Sequence, residues 1–345
     1  MKERKHRIWL PTLLILCAGI VLFVLNLIVG SVTIPLKECC SVLVGEGEET
    51  WRTIILDYRL TQAVTALLAG IGLSVSGLLM QTLFRNPLAD PSILGISSGA
   101  SLGVALVVLL TGHLSGMAVS TLPGWSTIGV TLAAFAGAFL VLLLILALSS
   151  RLKSMVSLIL VGIMIAYIAG SVTDVLKFFS QKEDVHTFVI WGFGSFSNVG
   201  KSQLLYLAAT ILSGTVCAFL LSKSLNLLLL GERYAENLGL NLRRANLLTI
   251  LVSGFLMAVI TAFCGPIAFI GLAVPHLARF TYHTSNHFML TPATAVIGMD
   301  LALLCNLIAR LPGFDGNLPI NSVTALIGAP IVIYVIFHRQ KVLSR

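Results

Sequence analysis

The sequence predicts an all-α integral membrane protein of about ten transmembrane helices with both termini cytoplasmic, and three observations predict it. Of the 345 residues, 57% are apolar and only 10% charged, with a mean hydropathy of +0.98. A soluble domain carries about 25% charged residues. One spanning helix takes about 20 residues, so the chain holds about ten spans as a single domain over residues 1–345. No stretch is long and polar enough for a soluble catalytic or nucleotide-binding domain. The basic residues gather in alternate gaps between apolar runs, the bias that orients helices with Lys and Arg on the cytoplasmic side.

The elements follow in order. The first seven residues are basic and precede an apolar run over 8–29. That run is long for the apolar part of a signal peptide and no small-residue cleavage site follows it, so it reads as a retained first span. Further spans are expected at 60–83, 92–110, 126–148, 155–176, 202–222, 246–264, 267–278, 289–309 and 320–337. The eighth is short, caught between Pro266 and Pro275, and reads as a half-helix or a kinked one. The outer loop 30–59 is acidic, and the outer loop 177–201 carries the aromatics of an interfacial belt. The inner loop 223–245 is polar. The net charge of +8 resides in such short loops, which argues against nucleic acid as a partner.

Three strings carry information. In RNPLADPSILGISSGASLG (85–103), two Asx-Pro pairs punctuate a tight inner turn, and Gly95, Gly99 and Gly103 recur every four residues as a helix-packing face. In LGERYAENLGLN (230–241), a short helix bounded by Gly231 and Gly239 reads as a knob for a soluble partner, with small Ala235 permitting close contact. GPIAFIGLAVPHLAR (265–279) breaks helix twice, as segments lining a pathway or a moving joint do. The stretches from Gly72 to Pro91 and from Gly254 to Pro275 suggest an inverted repeat. No Cys or His spacing resembles a metal site. His276 reads as a capping or interfacial residue, and His283 and His287 as solvated. Asp174, Lys177, Asp300 and Arg310 read as lying near outer ends, which speaks against a proton-driven carrier.

These strings, with LPINSVTALIGAP (318–330), resemble in order the FecCD-type permeases, the membrane subunits of bacterial importers for iron siderophores, haem and cobalamin. The likeness runs from about residue 55 to the C-terminus. It implies a bacterial inner-membrane permease, not itself an enzyme and without a cofactor. Its expected partners are two cytoplasmic ATPase subunits, a second permease copy, a periplasmic or lipid-anchored binding protein, membrane lipid and a metal-chelate ligand. Ferric siderophore stands ahead of cobalamin or haem as cargo, and an ion-coupled secondary transporter is the alternative of another class. The resemblance assigns ATPase coupling to Gly231, Glu232, Ala235, Leu238 and Gly239. It assigns the cytoplasmic gate to Asn86 and Leu88, with a second gating stretch at 154–157, and binding-protein docking to Arg59 and Arg310. The chain departs from the family where Gln62 replaces an arginine, Asn306 an aspartate, Asn317 a glutamate and Asn321 a glycine. The first three weaken the expected docking charges.

Overall fold

The computed structural model describes residues 2–30, 34–46, 48–110, 125–152, 154–311 and 318–343; Asn317 lies outside them. Every expected span is a helix. In chain order these are α1 (Lys2–Ile28), α3 (Glu49–Leu83), α4 (Ile96–Leu110), α5 (Trp125–Ser149), α6 (Met155–Phe179), α8 (Lys201–Leu220), α11 (Leu242–Cys264), α12 (Ile270–Tyr282), α13 (His287–Ala309) and α14 (Ile320–Leu343). Short helices fill the loops: α2 (Leu36–Val44), α7 (Lys182–Gly192), α9 (Ser222–Leu229) and α10 (Glu232–Asn237). Among the described residues, seven helices are long and apolar enough to cross a bilayer. At 1.5 Å per residue, the 13 residues of α12 reach about 20 Å, short of a hydrocarbon core of about 30 Å.

One boundary differs from expectation. α3 begins at Glu49, not at 60, because Thr53–Arg59 winds as π-helix and joins the segments on either side. The charges of Glu49, Arg52, Asp57 and Arg59 hide this turn-and-a-half from any reading based on apolarity.

α3 is the hub of the bundle. Glycines let it approach its neighbours closely: Gly70 meets the Gly298 carbonyl of α13, and Gly77 meets Gly271 of α12. Small residues at helix contacts are what close packing in lipid requires. A Cβ on Gly72 would lie 2.6 Å from Ile260 of α11. One turn on, Ser76 Oγ donates to the Ser253 carbonyl at 2.7 Å and Ser253 Oγ donates to the Ser76 carbonyl at 3.0 Å. The residues around them read VSGLLM (75–80) and VSGFLM (252–257). Reciprocal bonds between matching strings on antiparallel helices are what an inverted repeat places on its two-fold axis.

The glycine face of α4 divides. Gly99 and Gly103 pack on Gly137 and Ala133 of α5, as expected of a helix-packing stripe. Gly95 is not in the stripe. It caps the 3₁₀ turn Pro91–Leu94 at φ 81 and packs on the Gly162 carbonyl of α6, 2.8 Å from where a Cβ would be. A side chain there would meet both the strain of positive φ and the α6 backbone.

Candidate gate and coupling site

The turn from Arg85 to Leu94 connects α3 to α4. Asn86 folds it: its Oδ1 accepts from Leu88 N–H at 2.9 Å and its carbonyl from Ala89 N–H at 3.1 Å, an Asx turn of the kind that Asn-Pro favours. Leu88 is left exposed at the tip. Asp90 caps the following 3₁₀ turn, its Oδ1 accepting from Ser92 N–H at 2.9 Å. Burial pushes the Asp90 carboxyl above the usual carboxylate range, and its hydrogen bonds with Ser92 oppose that rise.

The broken helix α12 braces the turn. His276 Nε2 lies 2.9 Å from the Pro87 carbonyl, which can only accept, so the ring donates there. This agrees with the capping reading of His276. Gln81, on the last turn of α3, donates to the Leu272 carbonyl at 3.1 Å and accepts from Arg279 Nη1 at 2.6 Å. Both ends of its amide are therefore fixed. Gly271 fits between Gly77 and Asp90, whose Oδ2 would lie 2.9 Å from any Cβ added to it. Gln81 and Arg279 escaped the sequence reading. The available signal was an amide, Gln81, at the inner end of a mostly apolar span.

The coupling string folds as the short helix α10. Gly231 precedes it at φ 108 and Gly239 follows it at φ 86. Ala235 is fully buried within the chain, so it packs inward. The surface offered outward is made by Glu232, Arg233, Tyr234, Glu236 and Leu238. Glu232 also reaches the gate turn, with its Oε1 3.7 Å from Arg85 Nη2. Residues 154–157, expected as a second gating stretch, form the N-terminus of α6.

His287 corrects an expectation. Read from sequence as solvated, it is 1% exposed. Its Nε2 lies 2.8 Å from Thr82 Oγ1 and its Nδ1 2.9 Å from Asn226 Oδ1, so it joins α3, α9 and α13 behind the turn. The partner that buries it is 61 residues away, which spacing cannot reveal.

The other end of the bundle holds Arg59 and Arg310. Both are buried, with guanidinium groups converging on Gly30. Arg59 Nη1 donates to the Leu27 and Ile28 carbonyls at 2.9 and 2.7 Å, and Arg310 Nη1 to the Asn26 carbonyl at 3.4 Å. They cover the C-terminal carbonyls of α1, the favoured place for cations on a helix. Beside them runs a buried amide chain: Asn306 Nδ2 donates to Asn26 Oδ1 at 2.7 Å, and Gln62 Nε2 donates to Asn306 Oδ1 at 3.1 Å and to Ser197 Oγ at 2.9 Å. The departures at 62 and 306 are thus one feature, a neutral hydrogen-bonded pair where the family's arginine and aspartate would stand. Asn321 is also placed: its Oδ1 accepts from Ala268 N–H at 3.1 Å in the break before α12.

Asp300 is placed differently from expectation. It is the fourteenth residue of α13 rather than near its end. Its Oδ1 is buried without a hydrogen-bond partner and packs against Gly19, in the middle of the first span.

No group of three or more His, Cys, Asp or Glu among the described residues could hold a metal ion. The comparisons agree on what such a bundle is. The FecCD transport family model matches residues 16–338. The vitamin B12 import system permease protein BtuC of Klebsiella pneumoniae is 35% identical over 340 residues, 99% of this chain and 96% of that one. The hemin transport system permease protein HmuU of Yersinia pestis is 35% identical over 84% of each chain. A solved structure described as an inward-facing conformation of a metal-chelate type ABC transporter superposes with a TM-score of 0.81 at 30% identity, covering 94% of this chain and 97% of that one. With the family model matched over nearly its whole length and relatives this similar across it, the chain belongs to the FecCD transport family as a multi-pass membrane permease.

Proposed function

We propose that this chain is the permease of an ATP-driven importer in a bacterial plasma membrane, carrying a metal chelate between two copies of itself from a binding protein to the cytoplasm. Two ATPase subunits would grip the outward surface of α10, with Asn86 and Leu88 at the inner gate and Arg59 and Arg310 at the outer docking face. The observation that carries the reading is the ion pair between Glu232 of α10 and Arg85 of the gate turn. It brings α10 against the Arg85–Leu94 turn, which supports reading the two as coupling helix and gate for one partner. The cargo is a ferric siderophore on the sequence strings, whereas the relatives' names point to vitamin B12 or haem. Proteoliposomes holding the chain with its ATPase should accumulate one of ferrichrome, cyanocobalamin or haemin only when ATP is supplied. Uptake without ATPase would sink the proposal.

An ion-coupled secondary transporter is the second reading, favoured by Asp300 in the middle of a span. It requires uptake that needs no ATP and stops when an uncoupler collapses the ion gradient.

A further inference from the structure

Arg85 is an unusual residue for its position. It lies two residues beyond α3 at φ 48, the left-handed conformation in which helices commonly end on glycine. A Cβ there is strained. Its one ion pair among the described residues, with Glu232, is 3.7 Å long and its partners' side chains are 44% and 51% exposed. An exposed pair adds little to stability. As a static contact the arginine therefore offsets less than its backbone costs, and glycine would serve the fold at least as well.

The surroundings give the side chain a use. On one side the turn is held to α12 by the His276–Pro87 bond and the seating of Gly271 against Asp90, while the Gln81–Arg279 bond ties α12 to the end of α3 just before it. On the other side lies α10, flanked by Gly231 and Gly239, around which no atom stands within 4 Å of an added Cβ. Both glycines hold positive φ in open space, so the backbone can turn there without collision. The helix can turn about these ends, and beside the buried packing of Ala235 the Arg85–Glu232 pair links it to the gate turn.

We infer that Arg85 is the positioning residue that carries displacement of α10 to the gate turn, and that Glu232 acts inward on Arg85 rather than outward on the ATPase. This rests on the proposed function and deepens it. The test uses the full complex of permease and ATPase in proteoliposomes, with ferrichrome, cyanocobalamin and haemin as probes. Arg85→Gly should unfold no earlier than wild type and hydrolyse ATP at the same rate, yet import at least about fivefold more slowly. Arg85→Glu and Glu232→Arg should each lose import, and the exchanged pair should regain at least half of it. Wild-type import by Arg85→Gly, or an exchanged pair no better than either single variant, overturns the inference. If the wild-type complex moves none of the probes, the proposed function fails separately. The tie is then read from Leu88→Cys in a background with the native cysteines replaced. ATP must change its labelling by a hydrophilic maleimide, and Arg85→Gly must abolish that change; persistence of the change overturns the inference.

Discussion

Gly77→Ala should unseat the gate brace, and the structure gives the size of the effect. A Cβ at Gly77 would lie 2.6 Å from the Gly271 Cα and closer still to its carbonyl. Ordinary carbon contacts begin near 3.4 Å, so α12 must retreat from α3 by about 1 Å. The obstacle is backbone on both sides, and no rotamer relieves it. Overpacking of this kind costs about 1–3 kcal/mol. The retreat also stretches the Gln81 bonds to Leu272 and Arg279, at about 1 kcal/mol for the neutral bond and about 1.5–3 for the charged one. The total is about 3.5–7 kcal/mol. Gly170 in α6 is the control, since nothing lies within 4 Å of its added Cβ. Gly170→Ala should be neutral or stabilising by up to about 1 kcal/mol through helix propensity. Unfolding in detergent can be followed by a thiol-reactive dye, because Cys39, Cys264 and Cys305 are buried in the folded chain. Equal midpoints for Gly77→Ala and Gly170→Ala would refute the packing argument.

Three other outcomes are expected. Asn306→Ala and Gln62→Ala should each destabilise by about 1–3 kcal/mol, and the double variant by clearly less than their sum, since both cut one chain; additive midpoints in thermal unfolding would count against a shared network. Arg59→Ala removes the guanidinium bonds to the Leu27 and Ile28 carbonyls, and hydrogen exchange should rise at the end of α1 while α13 stays protected. Asp90 has a folded pKa above its unfolded value of about 3.9, so the folded state loses stability as pH climbs between the two and no more beyond. Asp90→Asn keeps the cap, so it should gain stability over wild type at pH 8, with the gain fading toward about pH 4; a pH-independent difference would contradict the burial argument.

What the sequence made legible follows from the solvent. Lipid forces each span to be a long apolar run, so ten of them could be placed, including the abbreviated α12 between its prolines. Helices lying in the loops carry no such signature: α2, α7 and α9 are short and mixed in polarity. At the site, Asn86, Leu88 and the glycines around α10 were readable because turns and helix ends are written in local residue types. Arg59, Gln62, His287 and Asn306 were visible as residues, but their burial was not. Each is satisfied by a carbonyl or side chain on a helix far away in sequence, and a polar residue's partner is decided by packing. Asp300 was misplaced although the end of its span was read correctly: the expected span 289–309 and α13 both stop at Ala309, which puts residue 300 in mid-helix.

The break before α12 is the mirror of the gate turn, and it tests whether the two ends of that helix act as one strut. Residues 265–269 are held by Ser195 N–H to the Cys264 carbonyl at 2.7 Å and by Asn321 Oδ1 to Ala268 N–H at 3.1 Å. The far end of α12 is held to the turn by His276 and to the end of α3 by Arg279. If α12 is rigid between these fixings, loosening one end changes local protection only where a bond is lost. Asn321→Gly restores the residue common in the family and removes one neutral bond, worth about 1 kcal/mol, or about a fivefold change in an opening equilibrium. Exchange at the Ala268 amide should quicken by about that factor, while the α12 amides from His276 to Arg279 keep their wild-type rates. Faster exchange along the whole of α12 would show that the helix melts from its break, and that the gate turn is braced by a flexible segment instead of a strut.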